Sequence, residues 1–307
     1  LLQSSAASDV YKRQDDMLRM IVDPKTTNLI CRDPPYTALP GTSNLAEMEC
    51  LPSQQLTFAS GDVDCCYFQY RLPSAMRCLF GLPLVEKRFL DFDLQRSPDI
   101  AVLHAEDLVP LRLLVTPMGW AWSVFFVQLG QTNWLSPVAP TAPWMTNYVP
   151  IASFADDRDN TTMTKSLYID NYAAFGTSRT RVTNAAAEMQ KVLAKERILS
   201  TLDPPDISTH LGFELKKNRW SPMRPKFWRL ERAAYHLAFD APNVTGKEVE
   251  CFVGHCIHIL GLRHSMLSCL GSVYVFIRKS YRKRQPLWAS SRKEVRWIWS
   301  LLPLCVV

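Results

Sequence analysis

Leu18-Arg19-Met20-Ile21-Val22-Asp23 alternates in the manner of a strand and runs into a turn at Pro24-Lys25. Residues 33–61 are loop-rich, punctuated by Pro34, Pro35, Pro40, Gly41 and Pro52. An apolar, aromatic run with strand character follows from Leu56 to Leu72, and Gly61-Asp62-Val63-Asp64 is expected to break it. Met118 to Leu129 predicts a buried helix behind a Pro-Met-Gly turn. Leu167 to Phe175 predicts a hairpin with Asp170 and Asn171 at its centre. Asn184 to Ser200 has helical spacing, with Ala185, Met189, Val192 and Leu193 on one face. His210 to Leu215 predicts a short strand, and Lys216 to Arg219 its exposed basic turn. Beyond residue 225 the pattern is helical, over Phe227 to Phe239, Lys247 to Leu262 and Met266 to Tyr281. The order is a mixed α/β body followed by helices, with a boundary expected at Pro222 and Pro225.

The 307 residues are 47% hydrophobic and 21% charged, enough for a packed core and unlike a disordered polyelectrolyte. Nine cysteines scatter among apolar residues apart from the adjacent Cys65-Cys66, which is the usage of a reducing compartment, cytoplasmic or nuclear. The net charge of +6 is uneven: residues 216–307 carry 17 Lys and Arg against 5 Asp and Glu, whereas residues 1–215 carry 18 against 24. An acidic part followed by a strongly basic one fits a polyanion held near a carboxylate site. No charge occurs from Leu113 to Ala155, but Pro117, Gly119, Gln128, Gln131, Asn133 and four further prolines interrupt it, so a membrane partner is not expected. The opening LLQSSAASDVYKRQ (1–14) has no periodicity and reads as an adaptor-like tail outside the fold, and both ends look like those of a fragment.

Carboxylates carry the candidate chemistry. Asp62, Asp64 and Asp170 lie at a strand end and in a hairpin turn, where carboxylates from separate strands converge on metal ions in phosphoryl transfer. Each alone reads more readily as an ordinary turn residue. Cys251, His255, Cys256 and His258 lie in an apolar helical run without the separated pairs of a zinc site. Asp156, Asp157 and Asp159 read as a solvated loop. No Gly-rich phosphate loop or serine-nucleophile signature occurs.

Taken together, ordered segments resemble reverse transcriptases. They are Gly61-Asp62-Val63-Asp64-Cys65-Cys66-Tyr67-Phe68, then Thr116-Pro117-Met118-Gly119-Trp120 with Ser123 and Gln128, then Tyr168-Ile169-Asp170-Asn171. Arg19 to Lys25 with Asn28 resembles the family's fingers strand, and His210 to Leu215 its primer-gripping segment. The helical part and Trp297-Ile298-Trp299 are most similar to retrotransposon polymerases of the tyrosine-recombinase type and related protist elements. The resemblance implies an α/β polymerase right hand: an antiparallel-sheet palm with fingers over 15–222, a helical thumb over 223–285, and at 286–307 a truncated lead-in to a following domain such as an RNase H. It implies two magnesium (or manganese) ions on Asp62 and Asp170, with Asn171 where the family carries a second carboxylate. Arg19 would meet the triphosphate, Tyr67 the incoming sugar, Met118, Gly119 and Gln128 the nucleotide and template, and Leu211-Gly212 the primer end. Arg278, Lys279, Arg282, Lys283 and Arg284 would follow a nucleic-acid backbone. The implied activity is RNA-directed DNA synthesis from dNTPs on a primed RNA or DNA template. A decayed nucleic-acid-binding relic and a basic protein-interaction module are the rivals. Asn171 departs from the family pattern, as does the long Pro- and Trp-rich span from Gln128 to Tyr168.

Overall fold

The structure is a computed structural model that describes residues 9–12, 18–147, 149–151, 153–155, 161–207 and 209–305, with side chains from Val22 onward. Most of the adaptor-like tail, the side chain of Arg19 and the Asp156, Asp157 and Asp159 cluster lie outside the described residues. In chain order the elements begin with strands β1 (Asp9–Lys12) and β2 (Leu18–Ile21), then helices α1 (Lys25–Ile30) and α2 (Thr42–Ala46). Strand β3 (Thr57–Val63) leads to β4 (Val85–Glu86), the short helices α3 (Phe92–Gln95) and α4 (Pro98–Ala101), β5 (Leu108–Val109) and helix α5 (Ala121–Leu135). The hairpin β6 (Met163–Tyr168) and β7 (Asn171–Gly176) precedes α6 (Arg179–Lys195), β8 (Ser200–Leu202), β9 (Thr209–His210), β10 (Phe213–Lys216) and β11 (Arg219–Pro222). Helices α7 (Arg224–Tyr235), α8 (Gly246–Leu260), α9 (Gly271–Ser280) and α10 (Ala289–Leu301) complete the order.

The chain divides into two compact units. The first takes its described residues from Leu1–Thr37, Val63–Ser136 and Val192–Ser200. Its core joins Val22, Leu72, Phe80, Leu113 and Trp120, with the Phe80 and Trp120 rings edge to face at 5.1 Å.

The second unit comprises Ala38–Asp62, Pro137–Lys191 and Thr201–Val307. Its main sheet has strand order β6-β7-β3-β8, with β7 antiparallel to both β6 and β3. On one face Phe58 and Phe175 stack at 5.4 Å and meet Trp220 of the three-stranded sheet β11-β10-β9. Ala173, Phe175, Phe213, Trp220, Leu45 and Leu262 close this core. The Pro-rich span covers the outer edge of β6: Lys165 N–H donates to the Pro143 carbonyl (2.8 Å) and Met145 N–H to the Lys165 carbonyl (2.6 Å). An uncovered edge strand would template aggregation, so this segment has a structural reason to exist. Lys165 is buried, donates its amine to the Val138 carbonyl at 2.7 Å and lies 4.5 Å from the Trp144 ring centre, and burial lowers its pKa.

Helices α7 to α10 share one core that includes Leu230, Ala234, Val249, Phe252, Phe276, Val295, Ile298 and Leu302. The stretch read as a lead-in, 286–307, thus contributes α10 to the core of α7 to α9, its Val295, Ile298 and Leu302 at helical spacing. Helical conformation from Gly246 to Ser280 is long and apolar enough to cross a membrane by length and composition. The backbone breaks at Arg263 (φ −130°, ψ 66°), and Val249, Phe252, Val253, Cys256, Leu270 and Phe276 are buried in this core.

Three local expectations change. Gly61 does not break the strand: β3 runs through Gly61 and Asp62 to Val63, because pairing with β7 satisfies its backbone. The turn falls later, at Cys65 (φ +46°). His210 to Leu215 is two strands, since Leu211 (φ +50°) and Gly212 (φ +83°) form a tight turn with both central residues left-handed. Helix α6 starts at Arg179 and ends at Lys195, with Val182, Ala186, Met189 and Leu193 as its buried stripe.

Candidate functional site

Register across the main sheet assembles the site. Asn171 pairs with Asp62 on β3 and with Tyr168 on β6. Residues paired across strands share a face, so Tyr168, Asn171 and Asp62 form one transverse row at the end of the sheet. Asp170 stands beside it, second in the two-residue turn Ile169-Asp170 that closes β6 and β7. Ile169 has φ +56°, a left-handed conformation in which a β-branched residue is an outlier and for which such turns normally use glycine. The tip is therefore strained and holds Asp170 against its neighbour: the Asn171 amide donates to Asp170 Oδ1 at 3.0 Å. Asp62 is exposed, and Asp170 and Asn171 are half-buried.

The row behind supports this one. Ser60, Ala173 and Ser166 pair across β3, β7 and β6. The Ser60 hydroxyl donates to Asp203 Oδ2 at 2.5 Å, while Ser166 Oγ lies 3.4 Å from His210 Nε2. His210 is packed between Phe58 and Phe175, at 6.0 and 5.2 Å between ring centres, and burial lowers its pKa to about 4. The imidazole is neutral at pH 7. It joins the strand preceding the Leu211-Gly212 turn to the main sheet, one row behind Asp62. Sequence reading missed Ser60, Asp203 and His210 as a supporting set, and alternation from Asp62 was the one available signal for Ser60. On the other face Gly61 lies under Tyr172: an added Cβ would collide with that ring and come within 2.7 Å of the Thr201 carbonyl oxygen.

Gly212 closes the Leu211 turn against Lys226, whose amine lies 3.5 Å from His258 Nε2. The basic segment follows α9: Arg278 and Lys279 lie in its last turn, and Arg282, Lys283 and Arg284 come after it. Arg284 is ion-paired with Glu248 and donates to the Asn243 carbonyl at 3.1 Å. Lys279 lies 6.0 Å from the Trp288 ring centre.

In the first unit the Pro117 to Trp120 turn is clasped by Asn28. Its amide donates to the Gly119 carbonyl and its Oδ1 accepts from Ala121 N–H, both at 3.0 Å. Gly119 has φ +93°, which only glycine adopts without strain, and an added Cβ would sit 3.2 Å from Pro24. The Ser123 hydroxyl donates to the Pro117 carbonyl at 2.8 Å, fixing the same turn to α5. Tyr67 sits in a single 3₁₀ turn, its carbonyl accepting from the Thr116 hydroxyl at 2.6 Å. Met118 is half-buried and Gln128 is buried at 6% exposure. Asp64 lies beyond the strand, its N–H donating to the Leu199 carbonyl at 3.0 Å.

Among the described residues no three His, Cys, Asp or Glu side chains cluster to hold a metal ion. Asp62 and Asp170 provide two carboxylates, and the Asn171 amide, donating through its nitrogen to Asp170, adds an oxygen donor. Magnesium takes oxygen ligands and is commonly bound by one or two carboxylates together with substrate phosphates, so this donor set fits it. The cysteines and histidines of α8 do not converge as a zinc site: Cys256 is buried in the helical core and Cys251 is exposed.

The architecture is mixed α/β with antiparallel sheets and helices, consistent in fold with reverse-transcriptase-like proteins. It is similar to a foamy viral protease–reverse transcriptase, dRH, in complex with double-stranded DNA, with a TM-score of 0.59 and 10% identity over 96% of this chain. The chain spans 43% of the length of that protein. No family model matches the sequence, and no curated protein matches it.

Proposed function

We propose that the chain is an RNA-directed DNA polymerase from a retroelement, with fingers and palm over residues 15–222 and a helical thumb from residue 223. The observation that carries this reading is the row Tyr168–Asn171–Asp62 with Asp170 at its strained tip. The reaction is attack of a primer 3′-oxygen on the α-phosphorus of a dNTP: a new P–O bond forms, the bond to the β-phosphate oxygen breaks, and pyrophosphate leaves. Asp62 and Asp170 would hold magnesium or manganese. Two ions at such carboxylates supply activation of the attacking hydroxyl and neutralisation of the leaving charge.

The chain's own residues position the reactants. The Leu211-Gly212 turn would hold the primer end, braced from behind by His210 against Ser166. The turn at Met118-Gly119, clasped by Asn28, would bring backbone close to the nucleotide. Tyr67 would lie against the sugar and disfavour a 2′-hydroxyl, and Arg19 would contact the triphosphate. The cations after α9 would follow the duplex backbone.

A second reading, a nucleic-acid-binding relic, is favoured by one observation: the neutral Asn171 stands directly across from Asp62. Magnesium-dependent primer extension on an RNA template, run beside primer–template binding, separates the two. Extension that is lost in Asp62→Asn supports the polymerase. Tight binding with no extension under either metal supports the relic.

A further inference from the structure

The β4–β5 hairpin carries at its end a lobe, residues 86–107, built on one buried residue, Leu90. Polar bonds hold it: the Lys87 amine donates to the Ala101 and Leu103 carbonyls at 3.0 and 2.6 Å, and Gln95 donates to the Leu90 carbonyl at 2.7 Å. Its apolar side chains point outward instead, with Phe89 69%, Phe92 62%, Leu94 49% and Val102 81% exposed. The lobe is also acidic, with Glu86, Asp91, Asp93, Asp99, Glu106 and Asp107 against Lys87, Arg88 and Arg96. Arg88 and Arg96 already lie over the Phe89 and Phe92 rings, at 4.9 and 3.9 Å. Large exposed apolar side chains on a lobe of net negative charge mark an interaction site, with Arg88 and Arg96 the cations a partner must displace from the two rings.

A surface of opposite character lies on α7. Pro225, Trp228, Arg229 and Arg232 fall on one helical stripe, away from the buried Leu230 and Ala234, and line a groove of about 630 Å³. Trp228 is 53% exposed there. The two surfaces complement each other in charge, and both carry the aromatic and arginine residues that anchor protein interfaces.

We propose that the 86–107 lobe docks into the α7 groove of a second copy of this chain, Phe89 and Phe92 packing against Pro225 and Trp228 while the acidic rim faces Arg229 and Arg232. The contact joins two different patches, so it is heterologous.

Sedimentation velocity of the full chain tests it, at low and at high salt, with two variants: Phe89→Ser/Phe92→Ser on the lobe and Arg229→Glu/Arg232→Glu on the groove. All four side chains are exposed, and circular dichroism checks that the fold persists. Wild type should self-associate at low salt and weaken as salt screens the charges. Each variant should lose about tenfold or more in self-affinity. An equal mixture of the two variants should regain dimers, because one intact lobe then meets one intact groove. A wild-type chain that stays monomeric at low salt up to its solubility limit overturns the proposal, as does failure of the mixture to recover. So does a groove variant that self-associates like wild type but binds duplex DNA more weakly, which would assign the groove to nucleic acid.

Discussion

The amide of Asn171 donates to Asp170 Oδ1 across from Asp62, so a neutral hydrogen-bond donor stands where a second carboxylate would have added a negative charge. Asn171→Asp restores that charge and is expected to preserve or raise magnesium-dependent extension. Asp170→Asn removes a proposed ligand and should lower it by about a hundredfold or more, the scale of losing a group that stabilises transition-state charge. Undiminished extension by Asp170→Asn would move the chemistry elsewhere. His210 sets a pH dependence of stability. Its folded pKa, about 4, lies below the ordinary value of 6.5, so the unfolded chain binds the proton more readily. The stabilisation is therefore complete above pH 6.5, falls by about 3 kcal/mol as the pH drops towards 4, and is flat below. Urea denaturation across this range should show the loss in wild type and its absence in His210→Gln. Gly61→Ala should cost about 1–3 kcal/mol by the same measurement, since its Cβ would meet the Tyr172 ring and the Thr201 carbonyl.

Tight turns rather than long elements place the candidate residues. Ile169-Asp170, Leu211-Gly212 and Lys217-Asn218 each close a hairpin with a left-handed residue. Asn218 also ties its turn to the segment before β3, accepting from Leu56 N–H at 2.9 Å and donating to the Gln54 carbonyl at 2.7 Å. In the first unit Asn28 does the same for the turn ahead of α5. Asn28→Ala should cost about 1 kcal/mol for each hydrogen bond removed. It should also speed hydrogen exchange at the Ala121 amide, which donates to Asn28 Oδ1. Unchanged exchange there would mean the turn is held by Ser123 and its own backbone.

Charge is a property of the whole chain, and its excess lies in residues 216–307. Arg284 is committed to Glu248, so Lys279, Arg282 and Lys283 are the cations to replace. Their combined change to Ala should weaken duplex binding across sequences and flatten the log–log salt slope, by roughly 0.9 for each DNA phosphate that is no longer neutralised. Base preference should not change, because phosphate contacts fix position without reading sequence. A salt slope equal to wild type would return these residues to solvated surface with cations at a helix end.

Local pattern was enough for the β6–β7 hairpin and for helices over 227–239, 247–262 and 266–281, whereas α6 starts five residues before the expected 184 and α10 was not expected as a helix. Residue type marked Asp62 and Asp170 as candidates, and the resemblance to reverse transcriptases, resting on the order of several motifs, added Asn171. Other features depend on partners distant in the chain. Gly61 reads as a turn until β7 supplies its hydrogen bonds, after which it is a strand residue under Tyr172. His210 and Asp203 gain meaning only from Ser166 and Ser60, which lie 44 and 143 residues away. The Pro-rich span looked like an insertion and proves to cover a sheet edge, and 286–307 looked like a departure and closes a core. Local spacing determines which face of an element is apolar; only the folded chain decides what that face meets, because register and long-range pairing have no signature in a single segment.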